Sequence, residues 1–282
     1  MKKIIAVISV IIMLSTVCVT VNITFAEADE VILPVIMYHS VLKSKNGVYI
    51  VSPTQLEQDF KRIVSDGYTA VTARQVIDFV DGKSDLPKKP ILITFDDGHY
   101  NNLYYAKPLL EKYNLTAVLN VIGKFSDFTT SSGDKDNPNY SHVTWDEVAE
   151  ISNSGVIEIG NHTYNMHNFK PRYGVAQKSD ESDAEYVTAL KADVEKLQKI
   201  IFENTGSVCK IFAYPFGKYG KLTEQTLVDM GFRMIFTCNE GVNVIKRGEP
   251  KCLYKLKRIN RDGRYDTQTL IDKIDRYANT RR

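Results

Sequence analysis

Short apolar runs, rich in β-branched and aromatic residues, alternate with amphipathic stretches along almost the whole chain. The runs that read as strands are Leu33–Met37, Tyr68–Val71, Pro90–Phe95, Ala117–Ile122, Val156–Gly160, Lys210–Tyr214, Met234–Thr237 and Tyr254–Ile259. Helices fall between them. Ser52 to Gln55 forms a capping box with proline at the first helical position, opening a helix over Pro53–Ser65. Thr144 and Glu147 form a second box, opening Trp145–Ser154. From about Ser182 to Asn204, the residues Tyr186, Leu190, Val194, Leu197 and Ile201 share one helical face, and Gly206 follows as a stop. Repeated strand–helix units bury their apolar faces as a parallel sheet covered by helices. Seven or eight units in about 250 residues predict an α/β fold, a single-domain (β/α) barrel of seven or eight parallel strands. A doubly wound open sheet is the alternative. No Pro/Gly/Ser linker and no repeat divides the chain. Two connections are long. Gly123–His142 is polar and reads as a binding loop or a solvated insertion, and Tyr164–Asp180 is the second.

The first residues stand apart from this pattern. Lys2 and Lys3 precede an apolar run, Ile4 to Val21, that ends in small and polar residues near Ala26. This predicts a secretory signal peptide over residues 1–26 and a globular domain over 31–282. The run of about 18 residues also reaches the length of a membrane span, so an uncleaved anchor is the alternative. The protein is therefore expected to be secreted or at the cell surface, with membrane or cell-wall association through that segment. Without residues 1–26 the chain carries 34 basic and 34 acidic residues, which gives no electrostatic case for nucleic acid. Cys209, Cys238 and Cys252 are an odd set, not a disulfide framework; Cys209 and Cys238 lie in apolar segments and read as buried.

The residues able to do chemistry sit at strand ends. Asp96 and Asp97 follow the Pro90–Phe95 run, whose Ile91-Leu92-Ile93 is apolar on both faces. Two adjacent acids there are costly unless their charge is neutralised. A metal cation would neutralise them, with one carboxylate as ligand and the other taking a proton from water. A loop-capping Asp-Asp-Gly turn is the plain alternative. His162 and His167 follow the Val156–Gly160 run. On an ideal helix residues five apart point about 140° away from each other, so a shared metal requires irregular backbone. With one acid they make a three-ligand site with open positions. Tyr214-Pro215-Phe216-Gly217 is a fixed turn able to aim a backbone N–H. His39 ends the earliest strand, while His99 and His142 read as peripheral.

Thr94-Phe95-Asp96-Asp97-Gly98, the Asn161–His167 stretch and the proline–aromatic turn resemble, in order and spacing, the motifs of the polysaccharide deacetylase family, carbohydrate esterase family 4, which shares the NodB-homology domain. The resemblance runs from about Leu33 to Asn260 and implies a distorted (β/α) barrel. It implies a divalent metal on Asp97, His162 and His167, zinc in the first place and cobalt or nickel as alternatives, with Asp96 as base and the Phe216 N–H in an oxyanion hole. The chain departs from the pattern in several places. Its metal histidines are five apart rather than four. Ala213 stands where the third motif carries arginine, the fourth motif is not found, and Arg258 stands where the fifth carries histidine. It is similar in this to the branch that deacetylates poly-β-1,6-N-acetylglucosamine. There the motifs are circularly permuted and the acid histidine comes from an N-terminal segment, which implies His39 as general acid.

The expected function is hydrolysis of N-acetyl groups on a GlcNAc-containing polysaccharide, an exopolysaccharide or peptidoglycan, by a monomer. Trp145, Tyr164 and Tyr219 are candidates for stacking on sugars, with core packing as the alternative. Tyr214 and Arg258 are further candidate substrate contacts. An O-acetyl xylan esterase and a non-catalytic carbohydrate-binding protein are the rival functions.

Overall fold

The computed structural model describes residues 29–44 and 46–280, so the leading segment read as a signal peptide or anchor lies outside the described residues. The strands, in chain order, are β1 Glu30–Leu33, β2 Val35–Tyr38, β3 Ser40–Val41, β4 Ile50–Val51, β5 Thr69–Ala70, β6 Pro90–Phe95, β7 Ala117–Val121, β8 Ile157–Asn161, β9 Ile211–Ala213, β10 Met234–Phe236, β11 Asn243–Lys246 and β12 Ile259–Asn260. The α-helices are α1 Pro53–Ser65, α2 Ala73–Val80, α3 Lys107–Lys112, α4 Gly123–Ser132, α5 Trp145–Asn153, α6 Asp183–Thr205, α7 Thr223–Asp229 and α8 Thr267–Asn279.

Strands β10, β9, β8, β7, β6, β2 and β12 pair in that order, and β5 joins β6 from outside the path. Every pairing in this sheet is parallel. The sheet curls into a distorted barrel, because Leu256 bridges to Phe236 of β10 while Ile259 and Asn260, three residues on, pair with Ile36 and Met37 of β2. The open-sheet alternative falls there. All residues of β2, β6 and β7 are buried, as expected of strands covered on both faces.

Among the described residues, four helices carry complete capping boxes, those of Ser52, Thr72, Thr144 and Ser182. The buried face of α6 is Tyr186, Leu190, Val194, Leu197 and Ile201, the set that the spacing predicts. Three expectations are corrected. Pro34 splits the Leu33–Met37 run, so β1 leaves the barrel to pair antiparallel with β11. The Tyr254–Ile259 run is shared between two neighbours rather than forming one strand. The Gly123–His142 connection is not all loop, because its first ten residues form α4. Gly123 lets α4 start close to the next connection, as a Cβ there would lie 2.6 Å from the Tyr164 ring.

Behind the carboxyl end of β2 lies a buried polar cluster. Arg261 donates to both Asp59 oxygens, at 2.6 and 3.2 Å, and Tyr38 and Thr267 donate to the same carboxylate. It ties β2, α1 and the start of α8 together directly behind the His39 loop.

Candidate metal centre and active site

The loops after β2, β6, β8 and β9 meet at the carboxyl end of the barrel. Three of them turn on a non-glycine residue at positive φ: Asp97 at 74°, Thr163 at 72° and Phe216 at 56°. Such residues are uncommon and gather at functional sites, since each conformation costs about 1–3 kcal/mol. The turn at Thr163 breaks the regular backbone after His162 and brings His167 back toward the same point.

His162 is held by its other nitrogen. Nδ1 lies 2.8 Å from the carbonyl of Ala213 and therefore donates to it, leaving Nε2 as a lone pair. That Nε2 is 3.6 Å from Asp97 Oδ1, and His167 Nε2 is 3.3 Å from the same oxygen. One ligating atom from each of the three residues lies within 4.8 Å of the others. Asp97 Oδ1 is buried and accepts no hydrogen bond. A buried carboxylate oxygen without a donor, faced by two imidazole nitrogens, has the chemistry of a cation site. The three residues therefore fit a divalent metal.

Asp96, beside it, is gripped from within the barrel. Asn120 donates to its Oδ1 at 2.7 Å, and the Arg258 guanidinium grips both oxygens at 2.8 and 2.7 Å. Arg258 also donates to the Thr237 carbonyl and the Thr94 hydroxyl. Burial alone would raise the Asp96 carboxyl, but the charge and hydrogen bonds of Arg258, together with His162 and His39, outweigh it and hold the group well below the usual carboxylate range. The guanidinium that sequence position Ala213 lacks thus reaches Asp96 from the seam where the barrel closes.

His39 stands beside this pair. Tyr38 and Phe95 are register partners, and the Asp96 N–H bonds to the Tyr38 carbonyl at 3.0 Å, so the residues that follow β2 and β6 lie side by side. Burial lowers the His39 imidazole from its ordinary value, partly offset by Asp96 and Asp97. Its Nδ1 is buried without a partner, and its ring lies 4.7 Å from that of Tyr49.

His99 and His142, read from sequence as peripheral, belong to this end of the barrel too. His99 Nε2 is 3.5 Å from Asp97 Oδ2, and an antiparallel bridge sets the two histidine rings 5.0 Å apart. Burial, reinforced by His99, lowers His142 to about 4, and burial with His162 lowers His167 to about 4. The residues proposed for sugar contact are placed differently. Tyr214 and Arg258 are fully buried and offer no surface to a ligand. Trp145 and Tyr164 are tied to one carboxylate, Trp145 Nε1 donating to Asp127 Oδ1 and the Tyr164 hydroxyl to Oδ2, both at 2.7 Å. Tyr219 stacks on Tyr214 at 4.5 Å. Cys209 is buried, as expected, but Cys238 is half-buried, against Gly217 and Arg258.

A parallel barrel with an acid pair, two histidines and a buried arginine at its carboxyl end defines a class of fold and site that the comparisons make specific. The chain belongs to the polysaccharide deacetylase family, whose model matches residues 83–235. It is 24% identical over 215 residues to a poly-beta-1,6-N-acetyl-D-glucosamine N-deacetylase of Escherichia coli K12, a match covering 68% of this chain. The match spans only 31% of that relative's length. Among solved structures it resembles a de-N-acetylase from Aggregatibacter actinomycetemcomitans, with TM-score 0.72, 25% identity, and 86% of this chain and 100% of the other covered. It also resembles IcaB from Ammonifex degensii, with TM-score 0.67, 26% identity, and coverage of 85% and 95%.

Proposed function

We propose that the protein is a metal-dependent hydrolase that removes N-acetyl groups from a GlcNAc-containing polysaccharide outside the membrane. One observation carries the reading: the buried, unpartnered Asp97 Oδ1 faced by His162 and His167. Those three residues would hold one divalent ion, zinc being the first candidate and cobalt or nickel the alternatives. An ion bound there supplies Lewis acidity and lowers the pKa of water.

The remaining work falls to the chain's own residues. Asp96, kept ionised by Arg258, is an acceptor only, and it takes a proton from the attacking water. The water oxygen adds to the acetyl carbonyl carbon, and the backbone N–H of Phe216 donates to the oxygen that gains charge. His39 gives a proton to the amide nitrogen as the C–N bond breaks, releasing acetate and a free amino sugar. Burial lowers the proton affinity of the His39 ring, which makes its protonated form a stronger acid toward the departing amine.

Metal analysis of the purified chain, with acetate release measured on β-1,6- and β-1,4-linked GlcNAc oligomers and on acetylated xylan, tests the reading. Stoichiometric metal and acetate from the amides are expected. His39→Ala should keep its metal but lower kcat by roughly 10²–10⁴-fold, the loss typical of a general acid. Acetate from xylan alone would replace the amidase reading with an esterase.

A further inference from the structure

The large apolar side chains exposed at the site end of the barrel form a pattern. Phe169 is 68% exposed and Tyr173 42%, yet both stack on Phe216 rather than standing alone. The Phe169 and Phe216 rings are 4.4 Å apart at 29°, and Tyr173 lies 5.4 Å from each of them. Phe216 in turn lies 4.2 Å from His167. The result is a continuous aromatic platform running from the candidate metal centre to solvent. A second exposed ring, Tyr49, lies against His39. Phe216 follows β9 and His39 follows β2, four places apart in the sheet order, with β6 and β8 and their site residues between them. Exposed rings therefore flank the site on two sides.

The connection that carries Phe169 and Tyr173 is built to hold them. Arg172 pairs with Glu181 and donates to the Ala176 carbonyl at 2.8 Å. Gly174, at φ +57°, passes so close to the Pro215 turn that a Cβ would lie 2.5 Å from the Pro215 carbonyl oxygen. Val175 bridges to Tyr219. Scattered surface aromatics need no explanation, but a fixed and continuous ring platform leading into a site does. Its chemistry is particular. Ring faces carry partial negative charge and attract the weakly positive C–H groups of an uncharged ligand. A pyranose presents such a C–H face, with its polar groups at the edge left to water.

We infer that Phe169 and Tyr173 form one sugar-stacking subsite and Tyr49 another. Together they hold the neighbours of the reacting residue in a chain of N-acetylhexosamines, so the protein selects polymer over monosaccharide. The inference rests on the deacetylase reading for the identity of the sugar. Because the platform is fixed before binding, little of the stacking energy is lost in ordering it.

The test uses the full chain in its isolated metal state and a β-1,6-linked GlcNAc pentamer, with GlcNAc itself for comparison. Binding is followed by titration calorimetry, and acetate is measured in the same samples. The native protein should bind the pentamer at least about tenfold more tightly than the monosaccharide. The double variant F169A/Y173A should weaken pentamer binding about tenfold, equivalent to about 1.4 kcal/mol. Phe169→Trp should retain the preference, because it keeps a ring face. Circular dichroism of the double variant should match the native protein. Pentamer affinity unaltered in F169A/Y173A overturns the inference. So does a variant that loses binding to phosphatidylglycerol vesicles while keeping the pentamer, since the platform would then face lipid. A length preference lost in the variant, in a protein that releases no acetate, would support the subsites while removing the deacetylase reading. Acetate release with no length preference would remove the subsites alone.

Discussion

Arg258→Met isolates the charge that neutralises Asp96. Both side chains are enclosed, Arg258 at 0% and Asp96 at 2% side-chain exposure, and the guanidinium holds both carboxylate oxygens. Methionine fills much of the same space without charge, leaving Asp96 with the Asn120 amide as its remaining bonded partner. Removing one member of a buried pair costs about 3–5 kcal/mol. In a domain of this size that lowers Tm by about 6–20 °C. The deficit should also depend on pH in a definite sense. In the native protein the folded Asp96 pKa lies below the unfolded value of about 3.9, so its stabilisation is present above that pH and lost as pH falls below it. In the variant, burial acts without Arg258 and raises the folded pKa above the unfolded value. The penalty is then full at neutral pH and shrinks as pH falls through the raised pKa. Urea titrations of both proteins at pH 7 and pH 4.5, with chelator present so that metal linkage does not enter, measure this. A deficit under about 1 kcal/mol at pH 7 would refute the reasoning. So would a larger deficit that is the same at both pH values.

Three further outcomes are expected. Asp59→Ala leaves the buried Arg261 without its carboxylate and should cost about 3–5 kcal/mol in a urea titration. Gly263→Ala would put a methyl 1.9 Å from the Ile50 carbonyl oxygen, so the strand pair carrying Tyr49 must shift; about 1–3 kcal/mol of destabilisation is expected in thermal melts. Asp97→Ala should abolish tight metal binding, measured by competition with a chromogenic chelator, and retained stoichiometric metal would move the centre elsewhere.

Strands β6 and β7 were legible in the sequence because a parallel strand buried on both faces is an uninterrupted apolar run, α1 and α5 because their capping boxes are local, and α6 because its apolar face recurs every three and four residues. Thr72 and Gln75 make the same local signal for α2, which the strand pattern alone does not display. Helix α4 was hidden because Gly123-Lys124-Phe125-Ser126 and the serines and threonines after it are weak helix formers, held by packing against Tyr164 and Leu197. The Asp97, His162 and His167 cluster could be anticipated because each residue follows a strand on the same end of a parallel sheet. Arg258 on Asp96 could not, because the contact joins positions 162 apart across the seam of the barrel. Nor could the approach of His99 to Asp97, which is set by a bridge to His142, 43 positions on. Trp145 and Tyr164 drew attention as aromatics near motifs, but exposure depends on neighbours that the sequence does not list, and the exposed rings stacked beside the site residues include Phe169, Tyr173 and Tyr49.

The seam has a consequence for how the protein comes into being. Synthesis runs from the N-terminus at about 5–20 residues per second, so Arg258 is added about 8–30 s after Asp96. Throughout that interval Asp96, after β6, has no guanidinium to meet it, and β2 has no β12 beside it. An early barrel would have to bury Asp96 charged with the Asn120 amide as its one side-chain donor, which is unfavourable by several kcal/mol. The nascent chain is therefore discouraged from closing before its last strand exists.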